Sequence, residues 1–162
     1  MKTKLLKSIM APLLFALALA TLVAAERTPR GGSIGGRLQG TWEMQLSRTD
    51  CAGHVIGTAQ SVAIFMAGGT MMESQAPRPQ AQKTPGEGVW GHTTDSNYAF
   101  RFKYFTFDAQ NVFTGWTIIS GELTVDGTGD TNTGSASIEV YDPNGNLVTT
   151  GCAEVTGTRF GL

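Results

Sequence analysis

The histidines are the residues of this sequence best suited to acid–base chemistry, because imidazole exchanges protons near neutral pH. His92 shares strand parity with Trp90 and lies near Tyr98, whereas His54 follows a cysteine in a loop. Inside a cavity, His92 paired with Tyr98 or Glu73 could move a proton on a bound small molecule. These three are the candidate catalytic residues of an enzyme. A hydrogen-bonded or exposed histidine explains His92 more simply, so we assign no catalytic residue.

Other motifs in the chain do not form a recognisable site. Cys51-x-x-His54 has the spacing of half a zinc site, but cysteines joined in a disulfide do not bind zinc. Residues 126–132 place oxygen atoms at alternate positions, as a calcium loop does, yet Thr131 and Ser137 stand where that loop needs glycine and glutamate. The sequence has no nucleophile elbow and no phosphate-binding loop. We therefore predict no metal and no cofactor.

The amino terminus has the layout of a secretory signal peptide. Lys2, Lys4 and Lys7 precede an apolar run over residues 9–23, and small residues follow as far as Ala25. This layout predicts cleavage near Ala25 and a secreted or periplasmic product that does not insert stably into a membrane. An uncleaved anchor is the alternative, although the run is shorter than the ~20 residues that span a bilayer.

Length and charge predict one mildly acidic domain. Removal of residues 1–25 leaves about 137 residues, enough for one domain with a sizeable core. The leader holds three of the 12 basic residues and none of the 13 acidic ones, so the mature net charge is −4. We expect no nucleic-acid partner, because such a protein would need a basic surface. Residues 26–37 lack periodicity and predict a flexible segment before a single domain over residues 38–162.

Strand signals dominate from Gly40 onward. Apolar and polar residues alternate, and turns contain glycine, proline, asparagine and aspartate. Eight strands are predicted, over residues 40–47, 57–67, 70–75, 89–93, 98–108, 113–125, 133–141 and 147–160. Residues 76–88 contain three prolines and are predicted to form a surface loop. That loop is a candidate lid over one barrel end, or a connection without a role.

The two cysteines indicate how the sheet closes. In an exported chain they predict one disulfide, Cys51–Cys152, with two free buried thiols as the alternative. Their residue numbers add to nearly the same total as those of Trp42 and Arg159. Pairs on two antiparallel strands keep that total constant. The first and last strands are therefore predicted to pair, which leaves the sheet without edges.

The fifth predicted strand is rich in aromatic residues. Alternation places four of them on one face: Tyr98, Phe100, Phe102 and Tyr104. Phe105 and Phe107 reverse this parity. A β-bulge near Tyr104–Phe105 would explain the reversal.

The first and last strands also carry a resemblance to a known architecture. Gly40-x-Trp42 and Arg159 resemble the lipocalin and wider calycin pattern. The resemblance implies an all-β, closed, up-and-down antiparallel β-barrel of about eight strands, in which Arg159 packs on the Trp42 indole as a cation–π contact. It also implies a cavity for a small hydrophobic ligand.

Three functions fit this barrel, and they differ in what its interior contains. The first is a secreted lipocalin-like protein that binds a small hydrophobic molecule. The second is a barrel cyclase or isomerase acting on an apolar substrate, similar in architecture to allene oxide cyclase and dirigent barrels. The third is an envelope protein whose barrel is filled and has no small-molecule ligand. The sequence does not indicate the oligomeric state. The candidate ligand-binding residues are Phe65, Met72, Trp90, Phe100, Phe102, Tyr104 and Trp116.

Overall fold

The computed structural model describes residues 36–76 and 78–161, which fold as a β-barrel. The predicted signal peptide and most of the predicted flexible segment lie outside the described residues. The strands are β1 (Gly40–Thr49), β2 (Val55–Phe65), β3 (Thr70–Ala76), β4 (Gly86–His92), β5 (Asn97–Phe107), β6 (Phe113–Val125), β7 (Thr131–Tyr141) and β8 (Leu147–Arg159). A 3₁₀ turn, Gln80–Gln82, lies between β3 and β4. Within the described ranges, no helix is long and apolar enough to cross a membrane.

The barrel closes between its first and last strands. Each strand pairs antiparallel with its sequence neighbours, and β1 pairs with β8. This arrangement confirms the predicted fold class, and the sheet formed by the eight described strands has no free edge. The β1–β8 register places Trp42 opposite Arg159 and Thr49 opposite Cys152. Cys51 and Cys152 form the predicted disulfide beside the last of these pairs.

One end of the barrel is closed by the contacts of Arg159. Its guanidinium lies 4.3 Å from the centroid of the Trp42 ring, which is the predicted cation–π contact. Arg159 Nε and Nη1 also donate hydrogen bonds to the carbonyl oxygens of Gly129 and Gln39, at 2.8 and 2.9 Å. The Trp42 indole donates to the carbonyl of Leu38 at 2.8 Å. We call this the Trp42 end, and the opposite end, which carries the disulfide, the disulfide end.

The fourth strand begins earlier than predicted, at Gly86, so the loop before it is shorter than residues 76–88. The predicted loop includes Gly86 and Gly88, but both lie in β4 and allow close packing inside the barrel. A Cβ atom on Gly86 would lie 2.6 Å from the Phe102 ring. Gly88 faces the backbone of Arg101 and Phe102 just as closely. The Phe102 ring therefore requires glycine at position 86, and the neighbouring backbone requires it at position 88; neither glycine serves a turn.

The predicted bulge near Tyr104–Phe105 is wrong. Inward alternation continues through Tyr104, and the register between β5 and β6 shifts between Thr106 and Phe107. Phe105 faces outward and is 44% exposed. Its ring packs against Phe113 on the outer face of the barrel. An aromatic residue that finds a partner outside does not need a bulge to turn it inward.

Candidate functional site

Five of the seven candidate ligand-binding residues face the barrel interior. They are the buried aromatic residues Phe65, Trp90, Phe100, Phe102 and Tyr104. Edge-to-face packing joins Phe65 to Trp90, with ring centroids 5.8 Å apart. Phe100 and Phe102 stack at 6.1 Å. These side chains form the aromatic part of the core, from Trp90 near the Trp42 end to Tyr104 near the disulfide end.

The placement of Met72 in the interior is wrong. Met72 lies between Met71 and Glu73, which are both buried, so strand alternation turns it outward, where it is 39% exposed.

Trp116 is likewise placed on the outer face. Its neighbours Gly115 and Thr117 are buried. The Trp116 ring stacks on Tyr141, with centroids 5.6 Å apart, and lies 4.2 Å from Lys103 Nζ. These outer contacts stabilise the sheet surface and give Trp116 no access to the interior.

The interior contains a small, mainly apolar cavity of about 30 Å³. Its wall includes the carboxylate-bearing residue Glu73, the hydroxyl-bearing residue Ser61 and the ring of Phe102. A cavity of this size holds about two water molecules. Typical ligand pockets measure about 300–1,000 Å³. The barrel is therefore filled mainly by its own side chains.

The interior also contains an ion pair between Glu73 and Lys83. Lys83 Nζ lies 2.7 Å from Glu73 Oε2, and the two residues are 4% and 5% exposed. The same Nζ lies 4.3 Å from the centroid of the Tyr104 ring, within cation–π distance. Glu73 was a candidate residue from the sequence, whereas Lys83 was not.

The two partners of this ion pair reach the interior in different ways. Glu73 projects from β3, which pairs with β2 on both sides of it and with β4 up to the Glu73–Gly86 pair. A Cβ atom on Gly86 would lie 3.3 Å from Glu73 Oε2, so this glycine leaves room for the carboxylate. Lys83 comes from the β3–β4 connection, which crosses the disulfide end and forms an isolated bridge with Thr106 of β5. The acid is therefore part of the sheet, and the base is carried by a loop.

Few hydrogen bonds hold that loop to the barrel. We call residues 78–85 the Lys83 loop. The Thr84 amide donates to the Phe105 carbonyl at 3.1 Å, and the Phe105 amide donates to the Thr84 hydroxyl at 3.0 Å. Residues 78–81 are exposed. Opening of this loop would break these few bonds and the ion pair while leaving the strand ladders intact.

The alternative catalytic residues do not converge. His92 is exposed, and its Nε2 lies 2.8 Å from the carbonyl oxygen of Asp95. The Tyr98 hydroxyl accepts a hydrogen bond from the Arg37 amide at the Trp42 end. Glu73 pairs with Gly86 at the start of β4, and six residues at the rise of a strand place it about 20 Å from His92. His92 and Tyr98 are thus neighbours, with ring centroids 5.2 Å apart, but Glu73 is remote from both.

The Asp126 turn, which has part of a calcium-loop pattern, is held by its own hydrogen bonds. One carboxylate oxygen accepts from the Thr128 hydroxyl at 2.7 Å, and the other accepts from the amides of Gly129, Asp130 and Thr131. The Thr128 hydroxyl and these amides lower the pKa of Asp126. Among the residues that the structure describes, no group of three or more His, Cys, Asp or Glu is placed to hold a metal ion.

A second polar group is buried at the Trp42 end. Asn132 is 1% exposed, and its Nδ2 lies 3.9 Å from Met44 Sδ. Within residues 36–76 and 78–161, its Oδ1 has no hydrogen-bond partner. The amide packs against Gly157, where a Cβ atom would lie 2.5 Å from Nδ2. The wall of the 30 Å³ cavity does not include Asn132 but includes Glu73, so we place the candidate site at Glu73 and Lys83.

Comparison of the chain with models of known protein families and with curated proteins gives no match. The function is therefore argued from the residues of the barrel.

Proposed function

We propose that this is a secreted, lipocalin-like protein that binds a small hydrophobic molecule inside its barrel, entering at the disulfide end when the Lys83 loop moves away. The observation that carries the proposal is the buried ion pair between Glu73 and Lys83, in which one partner belongs to the barrel wall and the other to a surface loop. The lipocalin resemblance of Trp42 and Arg159 supports the same conclusion.

Stability alone does not account for this ion pair. Removing two charges from water costs several kcal/mol for each ion, and replacing a buried ion pair by apolar side chains is often neutral or stabilising. A barrel selected for stability alone would fill this end with apolar residues, as Phe65, Phe100 and Ile119 fill the interior elsewhere. The pair is better explained as an interaction of the closed barrel that is replaced by contacts with a ligand when the barrel opens.

The two ends of the barrel also differ in how firmly they are closed. At the Trp42 end, Arg159 bonds to backbone carbonyls and packs on an indole. At the disulfide end, Lys83 and Thr84 supply the main contacts of the loop. Local opening uses the least protected segment of a fold. The Lys83 loop is therefore the expected entrance.

Movement of Lys83 would create the space that a ligand needs. The 30 Å³ cavity lies against Glu73, on the inner side of the ion pair. If the Lys83 side chain withdraws, the cavity becomes continuous with the volume that its four methylene groups and its ammonium group had occupied. The combined space is lined by Phe102 and Tyr104 and is open toward the solvent at the disulfide end.

Export is part of the proposal. The disulfide Cys51–Cys152 is compatible with an oxidising compartment, because cytosolic thiols are kept reduced. The charged and apolar layout of residues 1–25 is that of a cleaved leader. We therefore propose a secreted or periplasmic protein.

A filled barrel without a small-molecule ligand is the second candidate. The observation that favours it is the 30 Å³ cavity, which is about one tenth of the smallest typical ligand pocket. Under this hypothesis the Lys83 loop stays closed and the protein acts through its outer surface.

Uptake of a neutral apolar probe separates the two candidates. We expect native mass spectrometry of the exported protein to show a co-purified small molecule, and NMR titration with 1-hexanol to shift resonances of Phe102 and Tyr104. Lys83→Ala should bind 1-hexanol at least about tenfold more tightly, because it removes the competing side chain. The matched control is Lys103→Ala, which removes a lysine that lies over an aromatic ring on the outer face. If the exported protein contains no co-purified molecule, and folded wild type and folded Lys83→Ala bind neither 1-hexanol nor another six-carbon probe, the filled barrel is favoured.

A further inference from the structure

We infer that the ligand of this interior site is a primary amine on a short alkyl chain, with a cationic ammonium head. In the closed barrel, the ammonium group of Lys83 occupies the position that the ligand's ammonium takes in the bound state. This inference rests on the proposed function, because it specifies the class of molecule that enters the barrel. The geometry that carries it is the arrangement of Glu73 and Tyr104 around one ammonium group.

Glu73 and Tyr104 together form a site for an ammonium ion. The carboxylate accepts a charge-assisted hydrogen bond at 2.7 Å, and the aromatic ring presents its face to the same nitrogen at 4.3 Å. Both residues belong to strands and are buried. Because the wall of the barrel fixes them, they remain in place when the Lys83 loop opens.

The charge of the ligand follows from which residue of the Glu73–Lys83 pair leaves the interior when the loop opens. Lys83 is carried by the loop, so opening removes the positive charge and leaves the Glu73 carboxylate in the interior. A buried carboxylate without a partner is costly, and an incoming cation restores the lost contact. A ligand with a carboxylate head would instead place two negative charges close together. The open barrel therefore selects an amine over an acid.

The length of the alkyl chain follows from Lys83 and the cavity. A lysine side chain is an ammonium on a four-carbon stem. The cavity beyond Glu73 measures about 30 Å³ and is lined mainly by apolar residues such as Phe100, Phe102 and Ile119. The ammonium site lies between this cavity and the path of the lysine stem, so a single unbranched chain follows the stem path. We therefore expect an alkyl chain of about four to six carbons, the longer chains reaching the solvent at the disulfide end.

Three probes with the same chain and different heads test this inference. The full exported protein is titrated with hexylammonium, 1-hexanol and hexanoate at neutral pH, by calorimetry and by NMR. We expect wild type and Lys83→Ala to bind hexylammonium at least about tenfold more tightly than 1-hexanol, and hexanoate most weakly. Lys83→Ala should bind hexylammonium more tightly than wild type, because its competitor is absent. The double variant Glu73→Gln/Lys83→Ala should lose the preference for the amine.

The outcomes separate this inference from the proposed function. If 1-hexanol or hexanoate binds as tightly as hexylammonium, the amine class is overturned and the proposed function stands. If no probe binds to wild type or to folded Lys83→Ala, the proposed function is overturned and the inference falls with it. The Lys83→Ala variant remains informative even if it folds poorly in the absence of ligand. In that case hexylammonium should raise its melting temperature more than 1-hexanol does. Equal rescue by the two probes would also overturn the amine class.

Discussion

The substitution Lys83→Met tests whether Glu73 and Lys83 form a buried ion pair in solution. It keeps an unbranched side chain of similar length and removes the charge, which leaves the carboxylate of Glu73 in an interior where it is 5% exposed. Breaking a buried pair by removing one partner typically costs about 3–5 kcal/mol, because the remaining charge is uncompensated. We expect a loss of unfolding free energy in that range at neutral pH. The reverse change, Glu73→Met, should destabilise the protein by a similar amount.

The double variant distinguishes the ion pair from simple loss of packing. Glu73→Met/Lys83→Met removes both charges and replaces them with apolar groups of similar size. Its stability should lie close to that of wild type, because such replacements are often neutral or stabilising. Because each single loss is about 3–5 kcal/mol and the loss in the double variant is near zero, the two single losses together should exceed the loss in the double variant by about 6–10 kcal/mol.

Urea unfolding followed by tryptophan fluorescence provides the assay, since Trp42 and Trp90 are buried in the folded barrel. With an m-value of about 2 kcal/mol/M, a loss of 3–5 kcal/mol lowers the midpoint by about 2 M urea. Lys103→Met is the control: its Nζ lies over rings on the outer face, where a cation–π contact contributes about 0.5–1 kcal/mol. A loss below about 1 kcal/mol for Lys83→Met would show that Lys83 is solvated, and would remove the observation on which the proposed function rests.

Two further predictions concern other parts of the barrel. Reduction of Cys51–Cys152, or its replacement by two serines, should lower the unfolding free energy by about 4–5 kcal/mol, because the bridge spans 101 residues of chain; an unchanged urea midpoint would contradict this. Hydrogen bonds from the Thr128 hydroxyl and from backbone amides lower the pKa of Asp126 in the folded state. The ionised Asp126 carboxylate therefore contributes its full stabilisation above the ordinary aspartate pKa of about 3.9. That stabilisation is lost as the pH falls toward the lower pKa of the folded state. Asp126→Asn should therefore melt at a lower temperature than wild type at pH 7, with a difference that narrows below about pH 4; a pH-independent difference in melting temperature would exclude the charge as the cause.

The strands were predictable because alternation is a local signal, and the closure of the barrel was predictable because two pairs of residues link the first and last strands. Period-2 alternation located all eight strands, and the residue numbers of Trp42 and Arg159 together with those of the two cysteines indicated which strands meet. Alternation alone does not say which aromatic residues have partners outside the barrel. Trp116 was misplaced for this reason, because its side-chain type suits a core and an outer cluster equally well.

Lys83 could not be predicted from its surroundings in the sequence. It stands beside Gln82 in a segment with prolines, where a lysine is normally solvated. Its burial depends on Glu73, ten residues earlier, and on Tyr104, across the barrel mouth, and both contacts are set by tertiary structure. One local signal was available: Glu73 shares strand parity with Met71, and an inward carboxylate needs a partner.

The ion pair affects stability and ligand affinity in opposite directions. If Lys83 closes the site, the free energy that it contributes to the closed barrel reduces apparent ligand affinity, because only the open fraction binds. Lys83→Ala should then lower the melting temperature and raise the affinity for hexylammonium together. Loss of the Cys51–Cys152 disulfide should lower stability without raising affinity, since the bridge leaves Glu73 and its partner in place. A parallel fall of stability and affinity in Lys83→Ala would show that Lys83 supports the fold and does not hold the place of a ligand.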